Sequence, residues 1–186
     1  MKVILASQSQ FRKKALDILG LKYEVRPAHI DEKAIRDKDF MVMCKRLAEE
    51  KAKVLDSEDA IIVSGDLICV FNNRIYEKPG DVEEAKQMLR DFSGNAVDII
   101  ASVAVYNTKT KKMLSKAERC VVKFRKLFEY EIEDYCSRYP VTKFAGAFDG
   151  DGVSRFCTSI TGDHCFLNGV PMNALIMFLR ENGLEV

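Results

Sequence analysis

The run Val3-Ile4-Leu5-Ala6, followed at once by Ser7-Gln8-Ser9 and then by a helical pattern, constrains the fold more than any other stretch of this sequence. Four apolar residues are far too few to span a membrane, and they suit a short buried strand. Ser7 or Ser9 can cap a helix from about Gln10 to Leu19, which Gly20 stops. Strand, polar turn and helix in that order form the opening unit of an α/β chain.

The alternation continues. Leu21 to Arg26 is expected as a second strand ending at Pro27, followed by an acidic loop through Asp31 and Glu32. Phe40, Met43, Cys44, Leu47, Ala48 and Leu55 fall at helical spacing across residues 40 to 55. Ala60 to Val63 is expected as a buried strand broken by Ser64-Gly65-Asp66, with Leu67 to Phe71 continuing toward an Asn72-Asn73 hairpin turn. A helix over Val82 to Phe92, strands over Val97 to Tyr106 and Cys120 to Phe124, and a helix over Glu129 to Tyr139 come next. A glycine-rich region of turns then precedes a last helix from about Pro171 to Asn182. The predicted fold is α/β, a mixed and elongated central sheet flanked by helices, with residues 1–186 forming a single domain.

Composition narrows the function classes. With 186 residues, 47% of them hydrophobic, the chain can bury a sizeable core. A net charge of +1 supplies no global field for nucleic acid or membrane, so neither is an expected partner. Only two histidines, His29 and His164, argue against a histidine-based triad or a structural zinc cluster. The six cysteines show no CxxC spacing and read as reduced core residues of a soluble cytoplasmic protein. Chemistry is therefore expected to rest on carboxylates and lysines.

Ser7-x-Ser9-x-x-Arg12-Lys13-Lys14 places two hydroxyls and three cations where a strand yields to a helix, and such a terminus favours an anion. The pattern can serve phosphate binding, but taken alone it fits better an N-cap followed by a solvated basic face, since capping serines are common. Asp66, at the carboxyl side of a buried apolar run, suits a metal ligand or a base, and also a turn residue bonding its own backbone. Glu32 suits a second hard oxygen ligand for Mg²⁺ and equally a solvated loop carboxylate, while Lys51 and Lys78 can neutralise phosphate charge or simply be the lysines that any surface helix and turn carry. Asp149-Gly150-Asp151-Gly152 looks like the start of a calcium loop, but the twelfth position is Ile160, which cannot supply the bidentate carboxylate.

Taken in order, these residues resemble the Maf nucleotide pyrophosphatase family across nearly the whole chain. The resemblance is carried by Ile4-Leu5-Ala6-Ser7-Gln8-Ser9 with Arg12, Asp31-Glu32, Arg46-Leu47-Ala48-Glu49-Glu50-Lys51-Ala52 and Ser64-Gly65-Asp66. Glu77-Lys78-Pro79, Met88-Leu89-Arg90 with Ser93-Gly94, Ala145-Gly146-Ala147-Phe148 and Gly169-Val170-Pro171 complete it. It implies hydrolysis of a nucleoside triphosphate to a monophosphate and pyrophosphate with Mg²⁺ or Mn²⁺, an active-site cleft between two lobes, and often a homodimer. It also implies Asp66, Glu32 and Lys78 as catalytic residues, with Glu32 and Asp66 at the metal. Ser7, Ser9, Arg12, Lys13 and Lys51 would bind phosphate.

Substrate choice in the family depends on three positions, here Phe11, Leu67 and Asp151. Members favouring dTTP and UTP carry Arg, Thr and Gln there, and those favouring 7-methyl-GTP carry Trp, Gln and Glu. An aromatic and an acid place this chain closer to the second group. A dTTP/UTP-preferring enzyme, and a nucleotide-binding regulator of cell division with little turnover, are the alternatives. Gln10 stands where the family has proline, Phe144 separates Lys143 from Ala145, and His164-Cys165-Phe166-Leu167-Asn168 alters the family's Tyr-x-Asn.

Overall fold

The structure is a computed structural model, and it describes residues 1–55, 57, 59–163 and 168–186. Seven strands form one mixed sheet in the order β2-β1-β3-β5-β6-β7, with β4 paired to β3. In chain order the strands are β1 (Lys2–Leu5), β2 (Tyr23–Val25), β3 (Ala60–Phe71), β4 (Arg74–Tyr76), β5 (Ala96–Asn107), β6 (Lys112–Phe124) and β7 (Cys157–Gly162). The described helices are α1 (Gln10–Ile18), α2 (Phe40–Lys53), α3 (Val82–Phe92), α4 (Glu129–Arg138) and α5 (Met172–Glu181). The expected α/β class, with helices flanking a mixed sheet, is the observed one.

The chain divides into two compact units. One comprises Met1–Leu67, Ala101–Glu118 and Asn168–Val186; the other comprises Ile68–Ile100 and Arg119–Leu167. In the first unit β1 pairs in parallel with both β2 and β3, in a register running from Lys2↔Ala60 to Leu5↔Val63. Alternate residues of β1 consequently enter two different cores. Val3 and Leu5 pack with Ile61, Val63, Val103 and residues of α1 and α5. Ile4 and Ala6 pack with Ala48 and Ala52 of α2 and with Ile62 and Ala104. A strand covered on both faces has no polar side, which is why these segments read as unbroken apolar runs. α2 is capped by Asp39, whose carboxylate accepts from the amides of Met41 (2.8 Å) and Val42 (3.3 Å), an arrangement worth about 1 kcal/mol.

The second unit is built on rings. Phe92 of α3 meets Phe71, Tyr76, Phe124 and Phe148 at centroid separations of 4.8–6.0 Å. Asn72 and Asn73 both take positive φ, 49° and 58°, and so make the expected β3–β4 hairpin turn.

Two expectations are corrected. Ser64-Gly65-Asp66 does not break a strand, because β3 runs continuously through it. The Ser64 hydroxyl is satisfied by donating to the carbonyl of Ala48 (2.5 Å), so neither it nor Gly65 needs a turn. β7 was not anticipated. It pairs antiparallel with β6, and its largely exposed Cys-Thr-Ser-Ile-Thr-Gly sequence has no apolar alternation to betray it. Cys44, Cys69, Cys120 and Cys136 are buried thiols and Cys157 a half-buried one, with no disulfide among the described residues. Among those residues, no helix is long and apolar enough to cross a membrane.

Candidate active site

At the start of α1 the hydroxyls do something other than cap the helix. Ser9 occupies the N-cap position without a side-chain cap bond. Ser7 Oγ instead accepts from the Ser9 amide (3.2 Å) and from Arg12 Nη1 (2.9 Å). Arg12 Nε donates to the carbonyl of Gly169 (3.2 Å), so both ends of the guanidinium are aimed by neighbours. Gly65 makes room for it. A Cβ at Gly65 would lie 3.1 Å from Arg12 Nε, 2.7 Å from Val170 Cγ1 and 2.6 Å from the Ser102 carbonyl oxygen. Burial pulls the Arg12 guanidinium below its ordinary value, opposed chiefly by the charge of Asp66. An arginine remains cationic regardless, with further N–H donors for an anion.

The acidic half of the site forms around one ammonium group. Lys51 Nζ lies 2.6 Å from Asp66 Oδ1 and 2.8 Å from Glu32 Oε1. The Lys51 and Asp66 side chains are each 10% exposed, whereas that of Glu32 is 56% exposed. Two carboxylates from distant parts of the chain thus meet at a nearly buried cation. The Asp31-Glu32 pair divides its labour: Asp31 Oδ1 accepts from the Lys33 amide (3.1 Å), and Glu32 reaches Lys51. Beneath Asp66 its amide donates to Ser102 Oγ (3.2 Å), which donates to the carbonyl of Cys44 (2.7 Å). The Cys44 thiol is pushed up to about 12, first by burial and then by Asp66, and stays neutral. Ser7 with Arg12, and Glu32 with Lys51 and Asp66, therefore form two anchored sets, and the charge of Asp66 acts on Arg12.

A family model described as Maf-like protein matches residues 2–182. The chain belongs to that family. It is 35% identical to a protein of Idiomarina loihiensis named 7-methyl-GTP pyrophosphatase, over 98% of this chain and 96% of that one. Proteins of the same name from Aliivibrio fischeri (34%; 100% and 98% covered) and Chromohalobacter salexigens (35%; 99% and 97% covered) are similar along their whole length.

The remaining predicted residues of this Maf-like chain fall in both units. Phe11 is half-buried on α1, its Cβ 3.3 Å from where a side chain at Gly169 would start. Leu67 is half-buried directly after Asp66, and Lys13 is half-buried with its carbonyl accepting from Tyr23 Oη (3.3 Å). Lys78 and Asp151 belong to the second unit and are exposed. Lys78 helps line a cavity of about 520 Å³ there, together with Glu77 and Glu84. Asp149 organises its turn by accepting from the Gly152 amide (2.7 Å). The altered segment His164-Cys165-Phe166-Leu167 lies outside the described residues. Sequence reasoning missed Ser102, although a lone hydroxyl in the run Ile99-Ile100-Ala101-Ser102-Val103-Ala104-Val105 is a readable signal.

Proposed function

We propose that this protein is a nucleoside triphosphate pyrophosphatase that converts 7-methyl-GTP, or a related modified nucleotide, to its monophosphate and pyrophosphate. The observation that carries the reading is the convergence of Glu32 and Asp66 on Lys51, with Arg12 and Ser7 held in the same unit. The names of the three relatives point to the same reaction.

Hydrolysis of a phosphoanhydride needs an oriented water and screening of phosphate charge. Asp66 takes a proton from the water as its oxygen bonds to the α-phosphorus, and the bond to the bridging oxygen breaks to release pyrophosphate. Arg12, Ser7, Ser9, Lys13 and Lys51 hold phosphate oxygens. Among the described residues, no group of three or more metal-ligating side chains is assembled. The two carboxylates nevertheless fit Mg²⁺ or Mn²⁺, because both already approach one cationic centre and such ions take one or two carboxylates plus phosphate oxygens. Glu32 and Asp66 would hold that ion, which would supply charge neutralisation and polarisation of phosphate oxygens when bound.

Phe11 stacks on the base, a contact worth about 1–3 kcal/mol and stronger for the cationic ring of 7-methylguanine. The working assembly is a cytoplasmic homodimer.

Release of pyrophosphate from a panel of canonical and modified triphosphates, with Mg²⁺ or Mn²⁺, tests the reading. The expected result is highest kcat/KM on 7-methyl-GTP and none detectable for Asp66→Asn at full fold retention. A preference for dTTP or UTP would replace the substrate, and tight nucleotide binding without release would replace the enzyme by a regulator.

A further inference from the structure

Ser102 is fully buried on β5, and all its hydrogen-bonding capacity is used. A hydroxyl has one proton to donate and two lone pairs to accept with. The Ser102 proton goes to the carbonyl of Cys44 (2.7 Å); its oxygen accepts from the Asp66 amide (3.2 Å) and from Cys44 Sγ (3.3 Å). Nothing is left for water or substrate. The hydroxyl therefore acts on position alone.

Its partners explain which position. Cys44 and Lys51 are seven residues apart on α2, two helical turns, and lie on the same buried face. Ser102 ties the backbone of Asp66 to one end of that span. Lys51 Nζ binds the Asp66 carboxylate from the other end. We propose that Ser102 is a positioning residue, fixing the main chain of Asp66 against α2 so that the carboxylate presents a constant oxygen to the attacking water. The inference rests on the pyrophosphatase reading for its catalytic consequence, but its structural content does not.

The molecule contains its own control. Ser64, two residues before Asp66 on β3, is equally buried and donates to the carbonyl of Ala48 on the same helix (2.5 Å). It ties β3 to α2 and makes no contact with the Asp66 amide. Ser102→Ala and Ser64→Ala each delete one buried hydroxyl bonded to an α2 carbonyl, and only the first releases Asp66.

The two variants are compared by melting temperature, by kcat and KM for pyrophosphate release from 7-methyl-GTP, and by hydrogen exchange of the Asp66 amide without nucleotide. Ser102→Ala is expected to lose about 10- to 100-fold in kcat, with KM within about twofold, as for a displaced catalytic group. Its Asp66 amide should exchange at least about tenfold faster, having lost its acceptor. Ser64→Ala should lower the melting temperature comparably while leaving kcat within about threefold. Ser102→Thr, which keeps the hydroxyl, should recover most of the kcat. Equal kcat losses in the two alanine variants, or unchanged exchange of the Asp66 amide in Ser102→Ala, would overturn the proposal. Absence of turnover in the wild type would sink the pyrophosphatase reading alone, since amide exchange still decides the role of Ser102. If Ser102→Ala does not fold, Ser102→Cys, a weaker donor and acceptor, carries the same readouts.

Discussion

The two units of this chain treat polar groups in opposite ways. Among the described residues, every buried serine, threonine, asparagine and charged side chain lies in the first unit: Ser7, Lys51, Ser64, Asp66, Ser102, Asn107 and Thr108. In the second unit the interior is packed with rings around Phe92, and charges pair near the surface, as in Arg90 with Glu129 and Arg125 with Glu131. Burying an ion costs several kcal/mol before any partner compensates, whereas an aromatic pair adds about 0.5–1.5 kcal/mol beyond its area. A fold accepts the first arrangement only where something other than stability requires it. The contrast gathers the buried charges and hydroxyls in the first unit and the ring-packed interior in the second.

The strongest way to break that contrast is Lys51→Met. Removing the ammonium leaves the 10% exposed Asp66 carboxylate uncompensated, and unfolding by urea should show a loss of about 3–5 kcal/mol with turnover abolished. Adding Asp66→Asn should return much of the stability and none of the activity, because the carboxylate that lost its ammonium partner is then gone. Next comes Phe92→Ala, expected to cost about 3–4 kcal/mol in the same measurement by opening a cavity among four ring partners. A loss below about 1 kcal/mol would mean that the rings are not what holds the second unit together. Gly65→Ala is a smaller intrusion, about 1–3 kcal/mol, since its Cβ meets backbone at 2.6 Å and displaces Arg12. It should weaken phosphate recognition, seen as a raised KM. An unchanged KM would show that Arg12 tolerates the shift.

The same contrast governs what could be read from the sequence. β1, α1, α2 and α3 are legible because apolar periodicity acts locally, and the range expected for α3, Val82 to Phe92, is the observed one. Ser64-Gly65 reads as a break in sequence because its neighbours, the Ala48 carbonyl that satisfies Ser64 and the Arg12 and Val170 side chains that leave no room for a Cβ at Gly65, come from three other segments. β7 was missed since an edge strand need not bury either face, and only its pairing with β6 defines it. At the site, family order singled out Glu32, Lys51 and Asp66, but spacing could not foretell that one ammonium joins both carboxylates. Ser9 shows the converse, a residue of capping type whose hydroxyl makes no cap.

The smallest expected effect lies in the surface pairs of the second unit and follows from the sign of their pKa shifts. The hydrogen bonds from Arg125 hold the Glu131 carboxyl below its usual value, helped by the Phe128 amide; Arg90 does the same for Glu129, and Arg155 with Arg138 for Asp134. A carboxylate whose folded value is depressed contributes stability in full above its unfolded value and loses it as pH falls through the folded one. The window therefore opens below about pH 4. Between pH 6 and pH 3 the melting temperature of the wild type should fall more than that of Glu131→Gln, whose amide cannot titrate. In 1 M salt the difference should shrink, because screening acts on groups this close to water. Identical acid sensitivity of the two proteins would show that the pair stabilises nothing measurable. The effect must stay small if the contrast between the units is right: these charges remain hydrated in both folded and unfolded chains, so folding changes their surroundings far less than it changes those of Lys51 and Asp66.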